Sequence, residues 1–250
     1  MKRPLLLISL LGILFFTGVA ALAQDDEPAT TTATATDEGG PVNILKKKFI
    51  EGDPRWMTPI LVCLVFGLAL CIERIITLNL STTNTNQLVS RVDNALKGGN
   101  VNGAKEICKS TPGPVASVLH AGLDRIDEGV EIIEKSIVSY GSVQTGMLER
   151  GLVWISLFIS IAPMLGFMGT VIGMIDAFDK IEAAGEIRAT DVAGGIKIAL
   201  LTTVFGLIVA IILQLFYNYI ISKIDNLVNS MEDASIALVD SLVRHNIVKS

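Results

Sequence analysis

Residues 165–174 read LGFMGTVIGM, an apolar run interrupted only by Gly166, Gly169, Gly173 and Thr170. Glycine weakens an isolated helix by about 1 kcal/mol relative to alanine, and a threonine hydroxyl meets no water in hydrocarbon. On a helix, positions 166, 169, 170 and 173 are three and four residues apart, so they fall on one stripe. Small residues on a stripe let a second helix approach closely, as in the small-xxx-small packing of membrane helices. A later run, residues 192–221, repeats the device: Thr202, Gly206 and Ala210 lie four apart, with Ala199 and Thr203 beside them. Gly166, Gly169, Gly173, Ala199, Gly206 and Ala210 are therefore the candidate helix-packing positions. Two readings stay open for Thr170, Thr202 and Thr203. Their hydroxyls bond backbone carbonyls one turn earlier, or they line a hydrated path facing a partner helix.

Composition supports placing both runs in lipid. Half of the 250 residues are hydrophobic and 18% are charged, against about 25% in ordinary soluble domains. The charges sit between long blocks that hold almost none, and the mean hydropathy is +0.56. The expected class is an all-α polytopic membrane protein with three mature spans, at 57–80, 151–176 and 192–221, each reaching the ~20 residues that cross hydrocarbon. Glu73 and Arg74 interrupt the first span near its end, which fits a headgroup boundary or a pair buried between helices. The net charge of −5 is spread over several loops and forms no basic patch, so nucleic acid is not an expected partner.

The chain starts with Lys2 and Arg3, an apolar run over residues 5–22, and Ala21-x-Ala23. That is the pattern of a signal peptide over 1–23, with an uncleaved helix as the alternative. Residues 24–41, acidic and rich in Thr and Ala, read as a linker without a core. Val42, Leu45, Phe49 and Ile50 then fall at helical spacing beside Lys46, Lys47 and Lys48, which suits a short amphipathic helix on a lipid surface, membrane lipid being an expected partner. With residues 24–56 outside, 81–150 and 222–250 face the cytoplasm and 177–191 form an external loop. Arg91, Lys97, Lys105, Lys109, Arg125, Lys135 and Arg150 lie in the first cytoplasmic part, against Lys180 and Arg188 outside, as the positive-inside rule asks. Lys46, Lys47 and Lys48 run against it, and an export signal ahead of them would dominate. The cytoplasmic parts have a helical rhythm. Residues 88–110 read as helix, Gly-Gly-Asn turn, helix. Residues 114–151 run almost unbroken into the second span, and Ile224, Leu227, Val228 and Met231 extend the third.

Chemistry-bearing constellations are missing. The sequence GGNVNGAK at 98–105 lacks the phosphate-binding order, because Ala104 separates Gly103 from Lys105. His120 and His245 stand in separate segments, so neither a metal site nor a cofactor is expected. Cys63 and Cys71 are eight residues apart, about 12 Å along a helix, too far for a disulfide. With Cys108 they read as small hydrophobes. No enzymatic site is expected.

The paired motifs, LGFMGTVIGMIDAF and, some twenty residues later, GGIKIALLTTVFGLIVAII, resemble the two signature helices of the ExbB/TolQ/MotA ion-driven stator family. The resemblance covers nearly everything after residue 40, and the leader and acidic linker look most like ExbB-type members. It implies a homo-pentamer in the bacterial inner membrane, with the second and third spans lining a pore. An ExbD/TolR-like single-span partner carrying a proton-accepting aspartate would sit in that pore. Work would pass to a TonB-like protein that energises outer-membrane transport. By motif position, Thr170 and Thr203 match pore threonines near the partner's aspartate. One departure stands out: the family's IAEALL is IKIALL here, with Ile198 at the glutamate's site and Lys197 beside it. Asp176 and Asp179 lie at the outer end of span two, where a solvated helix end or an entrance fits. A proton is the expected coupling ion, with sodium the alternative. Rival readings are a TolQ-like or motility motor subunit, a passive scaffold, or a self-contained transporter, which would need intramembrane charges of its own.

Overall fold

The computed structural model describes residues 52, 54–185, 189–245 and 247–248. The expected signal peptide, acidic linker and surface helix lie outside the described residues. Within them every regular element is helical: α1 Pro54–Ser81, α2 Thr85–Lys97, α3 Val101–Ser110, α4 Pro114–Asp124, a 3-10 turn Ile126–Glu128, α5 Val130–Leu148, α6 Leu152–Ala184 and α7 Ala189–Arg244. Three stretches are long and apolar enough to cross a membrane, so the chain is an all-α integral membrane protein. The 33 residues of α6 and 56 of α7 exceed the ~20 a crossing needs.

Local chemistry sets the helix ends. Asn84 and Asn100 cap α2 and α3, their side-chain oxygens accepting from the backbone N–H of Gln87 at 3.2 Å and Gly103 at 2.8 Å. The turn between these helices is the expected Gly98-Gly99-Asn100. Pro114 opens α4, where its missing N–H costs nothing. Two ends differ from expectation. α6 runs on to Ala184, so most of 177–191 is helical, as suits Ala177, Ala183 and Ala184, strong helix formers. The expected run over 114–151 into span two is broken twice, at the 3-10 turn between Asp124 and Val130 and again between Leu148 and Leu152. Gly151 there has φ +96°, a conformation that side chains disfavour. The Arg74 side chain lies over this turn: a Cβ on Gly151 would come 3.0 Å from Arg74 Nε, which is itself 3.3 Å from Glu73 Oε2.

The chain divides into two compact units. The first holds the described residues to Ala69 together with Leu157–Leu213. Here α6 buries Ala162, Gly166, Gly169, Gly173 and Ala177, and α7 buries Ala199, Thr202, Gly206, Val209 and Leu213. The two rows meet at backbone distance. A Cβ on Gly206 would stand 2.6 Å from the Ala162 carbonyl oxygen and 3.2 Å from the Gly166 Cα. Only hydrogen fits there.

The second unit is Leu70–Ser156 with Gln214–Ser250. α2 packs on α3, α3 on α4 and α4 on α5, around Leu88, Val92, Leu96, Leu119, Leu123 and Ile133. α7 adds Ile224, Leu227, Met231, Ala234, Leu238 and Leu242, spaced by three and four as a single buried stripe. A polar knot ties its end to α2. Asp93 accepts from Ser241 Oγ at 2.6 Å, lies 3.2 Å from His245 Nε2, and pairs with Lys97 Nζ at 2.7 Å. Lys97, then Ser241, hold the Asp93 carboxyl well below the usual carboxylate range. All three cysteines are free and buried. Burial pushes the Cys108 thiol up to about 11, far from the thiolate a reactive cysteine needs.

The packing sets three expectations. Gly206→Leu forces α6 and α7 apart and should leave the detergent-solubilised chain aggregated on size-exclusion chromatography. Gly146→Ala, where nothing lies within 4 Å of the added methyl, should instead raise thermal stability by about 0.5–1 kcal/mol. Asp93→Asn removes a carboxylate whose folded pKa is depressed, so it should cost roughly 1–2 kcal/mol at pH 7, discounted for the half-exposed Lys97. The folded-state advantage of that carboxylate is present above its unfolded pKa of ~3.9 and is lost as pH falls below it. The gap between wild type and Asp93→Asn in thermal unfolding, followed by circular dichroism, should therefore narrow from pH 5 to pH 3.

Candidate functional site

The hydroxyl-bearing residues gather at the α6–α7 seam of the first unit. Thr202 is fully buried in it. Its Oγ1 donates to the Ala199 carbonyl at 2.7 Å, one turn earlier on α7, and lies 3.5 Å from the Gly166 carbonyl on α6. Thr203, half-buried, reaches across the seam and donates to that same Gly166 oxygen at 3.1 Å. A carbonyl has two lone pairs, so Gly166 O can accept from Thr203 while keeping its helix bond. That makes Gly166 the centre of the contact twice over, through its missing side chain and through its oxygen. Thr170 is half-buried and donates to Phe167 O of its own helix.

The glycines hold the geometry around these hydroxyls. A Cβ on Gly166 would come 2.9 Å from Thr202 O and 3.1 Å from Thr203 Cα, and one on Gly169 would come 2.7 Å from Thr202 Oγ1. Gly173 faces Ala199, with 3.3 Å between that residue's Cβ and the position of an added one. Ala210 stands half-buried beside the row, which passes through Val209 instead.

Three contributors lie outside the candidate positions. Gly195 extends the α7 row toward its start: a Cβ there would meet the Ala177 Cβ at 2.5 Å. Ala162 and Ala177 extend the α6 row at both ends. All three continue the three-and-four spacing, so the signal was in the sequence. Gly67 of α1 is different. A Cβ on it would meet Leu213 Cδ1 at 2.6 Å, and no spacing within α1 announces that neighbour.

Around the seam the surface is apolar. Met164 and Phe167 on α6 are each 67% exposed, and Leu200 and Ile211 on α7 are each 60% exposed. Such surface needs lipid or another apolar helix against it. No Asp, Glu, Lys, Arg or His occurs in residues 152–175 or 198–222. Asp176 and Asp179 stand exposed beyond the first of these stretches, and Lys197 is exposed just before the second. Among the described residues no group of His, Cys, Asp and Glu is arranged to hold a metal ion. The chemistry on offer is that of hydroxyls and backbone carbonyls between two closely packed apolar helices.

Residues 110–233, which contain this seam, match the sequence model of the MotA/TolQ/ExbB proton channel family. The chain is 32% identical over 170 residues to a putative biopolymer transport protein, an ExbB homolog, of Methanothermobacter thermautotrophicus, covering 67% of this chain and 60% of that protein. It is 35% identical over 77 residues to the biopolymer transport protein ExbB of Aquifex aeolicus, covering 31% of this chain and 52% of the relative. The Helicobacter pylori biopolymer transport protein ExbB is 34% identical over 78 residues, 31% of this chain and 54% of its own. The chain thus spans between about half and 60% of the length of these relatives. The chain belongs to the MotA/TolQ/ExbB proton channel family, a family of membrane channel proteins and not of enzymes.

Proposed function

We propose that this chain is a stator subunit of the bacterial inner membrane, coupling a proton gradient to biopolymer transport across the envelope. Five copies surround the membrane helices of an ExbD/TolR-like single-span partner, and the work is handed to a TonB-like protein. The observation that carries the reading is the family match across the α6–α7 seam, joined to the biopolymer-transport relatives. The distribution of charge supports it. A proton crossing hydrocarbon needs a titrating group partway, and residues 152–175 and 198–222 supply none. The partner therefore brings the carboxylate, and this chain brings the apolar wall and the hydroxyls of Thr170 and Thr203.

A packing-only role has an observation of its own. The Thr170, Thr202 and Thr203 hydroxyls all donate to backbone carbonyls, as in a passive scaffold. The two readings part on substitution. Val is nearly the shape of Thr, so Thr170→Val or Thr203→Val should leave assembly intact, as read by native mass spectrometry with a co-expressed partner. On the stator reading each variant loses ion-driven uptake, by roughly tenfold, the loss of about one hydrogen bond to the partner's acid. Normal uptake in both would sink that role and leave the hydroxyls to packing.

A further inference from the structure

We propose that α5 of one copy docks against the last turns of α7 of a neighbouring copy, an interface that rests on the oligomeric reading above. Both faces belong to the second unit, and each is left uncovered by the described residues of its own chain.

The α5 side is a groove of about 380 Å³. Ile132, Lys135, Ser139 and Val143 line it at helical spacing, joined by Arg125 and Tyr140. Val143 is 57% exposed and Ile132 41%. The helix has already spent its other side, since Ile133 and Ile137 are buried. The charges lining the groove are both cationic, Arg125 and Lys135, with Arg125 also 3.2 Å from Glu128. Glu131 and Glu134 do not line it, Glu131 standing one turn before Lys135.

The α7 side is a stripe of opposite character. Asp233, Ile236, Asp240 and Val243 are all exposed and lie three, four and three apart, one face of the helix. Ile236 is 62% exposed. Met231, Ala234, Leu238 and Leu242 turn the opposite face into the chain's own core, so Ile236 and Val243 find no cover there. Glu232 adds a third exposed carboxylate beside the stripe, against Arg244 as the one Lys or Arg among the described residues from 232 onward. An anionic face with two apolar residues thus meets a cationic groove with two apolar residues. The occupant follows from that match. A second copy supplies complementary spacing, sign and apolar content, and lipid supplies no such helix. Because the two faces differ, the contact is head-to-tail, the kind that closes into a ring when repeated. Complementary charge at its rim fixes register between copies.

Disulfide trapping tests this in membranes of the full chain. A Ser139→Cys chain is co-expressed with a differently tagged chain carrying Asp233→Cys, Ile236→Cys, Asp240→Cys or Val243→Cys, one at a time. The panel scans the register, and the buried native cysteines keep the background low. Oxidation should link differently tagged chains for at least one pair, with Ser139→Cys alone giving nothing above wild type. Adding Lys135→Asp should lower that yield by at least about tenfold through like-charge repulsion. No cross-link in any pair, while native mass spectrometry still finds wild type as a ring, overturns this interface and leaves the stator reading standing. A monomeric wild type removes both. Linking of Ser139→Cys to itself also overturns the proposal, because it makes the contact two-fold.

Discussion

Everything in the membrane part of this chain depends on how closely α6 and α7 approach at Gly166 and Gly206. In hydrocarbon there is no hydrophobic drive to bring helices together, since lipid tails are as apolar as leucine. What remains is dispersion between surfaces that fit, and that grows only when backbones come near. Hydrogen at positions 166 and 206 allows it, where a methyl would press on a carbonyl oxygen 2.9 Å away at the first and 2.6 Å away at the second. Close approach then makes the polar chemistry possible. Thr203 on one helix can reach the Gly166 carbonyl on the other only because no side chain keeps them apart. The hydroxyl that looks out of place in lipid and the glycine that looks unhelpful in a helix are parts of one contact.

The second unit solves a different problem, that of a helix far longer than a bilayer crossing. The distal turns of α7 carry a stripe from Ile224 to Leu242 that would be insoluble alone. The short helices α2 to α5 cover it. They are held in order by ordinary devices: asparagine caps at 84 and 100, a proline at the start of α4, and glycines with positive φ at 99, 129 and 151. The Asp93 knot closes the arrangement. Its carboxylate satisfies Ser241, His245 and Lys97 together, so the end of α7 is fixed to α2 by direction as well as by apolar contact.

How much of this was legible follows from the range of each signal. The small-residue stripes were readable because a helix repeats every 3.6 residues, and Gly195, Ala162 and Ala177 would have been found by following the spacing further. Strict four-residue steps gain about 40° each, which is why Val209, and not Ala210, lies in the buried row after Gly206. The break at Gly151 gave only a weak sign, since a lone glycine in a helical pattern is usually tolerated. Contacts between distant segments gave none. Asp93 meets Ser241 148 positions away, and Gly67 meets Leu213 from another helix. Periodicity states which face of a helix is buried, but not what buries it.

The three threonines, equal in the sequence, are unequal in the fold, and the difference bears on the stator reading. Thr202 is wholly enclosed by its own chain, so its hydroxyl serves the α6–α7 contact whatever stands outside. Thr170 and Thr203 are half-buried. Each uses its hydrogen on a carbonyl and retains lone pairs that can accept from a group approaching from outside. A protonated carboxyl is such a group: it donates, where an ionised carboxylate only accepts. Two half-buried acceptors on otherwise apolar helices therefore favour the neutral form of a visiting acid over its charged form, in a setting where desolvation already penalises charge. In a stator whose partner carries the titrating acid, that preference is what a passage across hydrocarbon requires. On the stator reading proposed above, such an acid would cross neutral between the threonines and ionise where water reaches it, with no charge required of the wall.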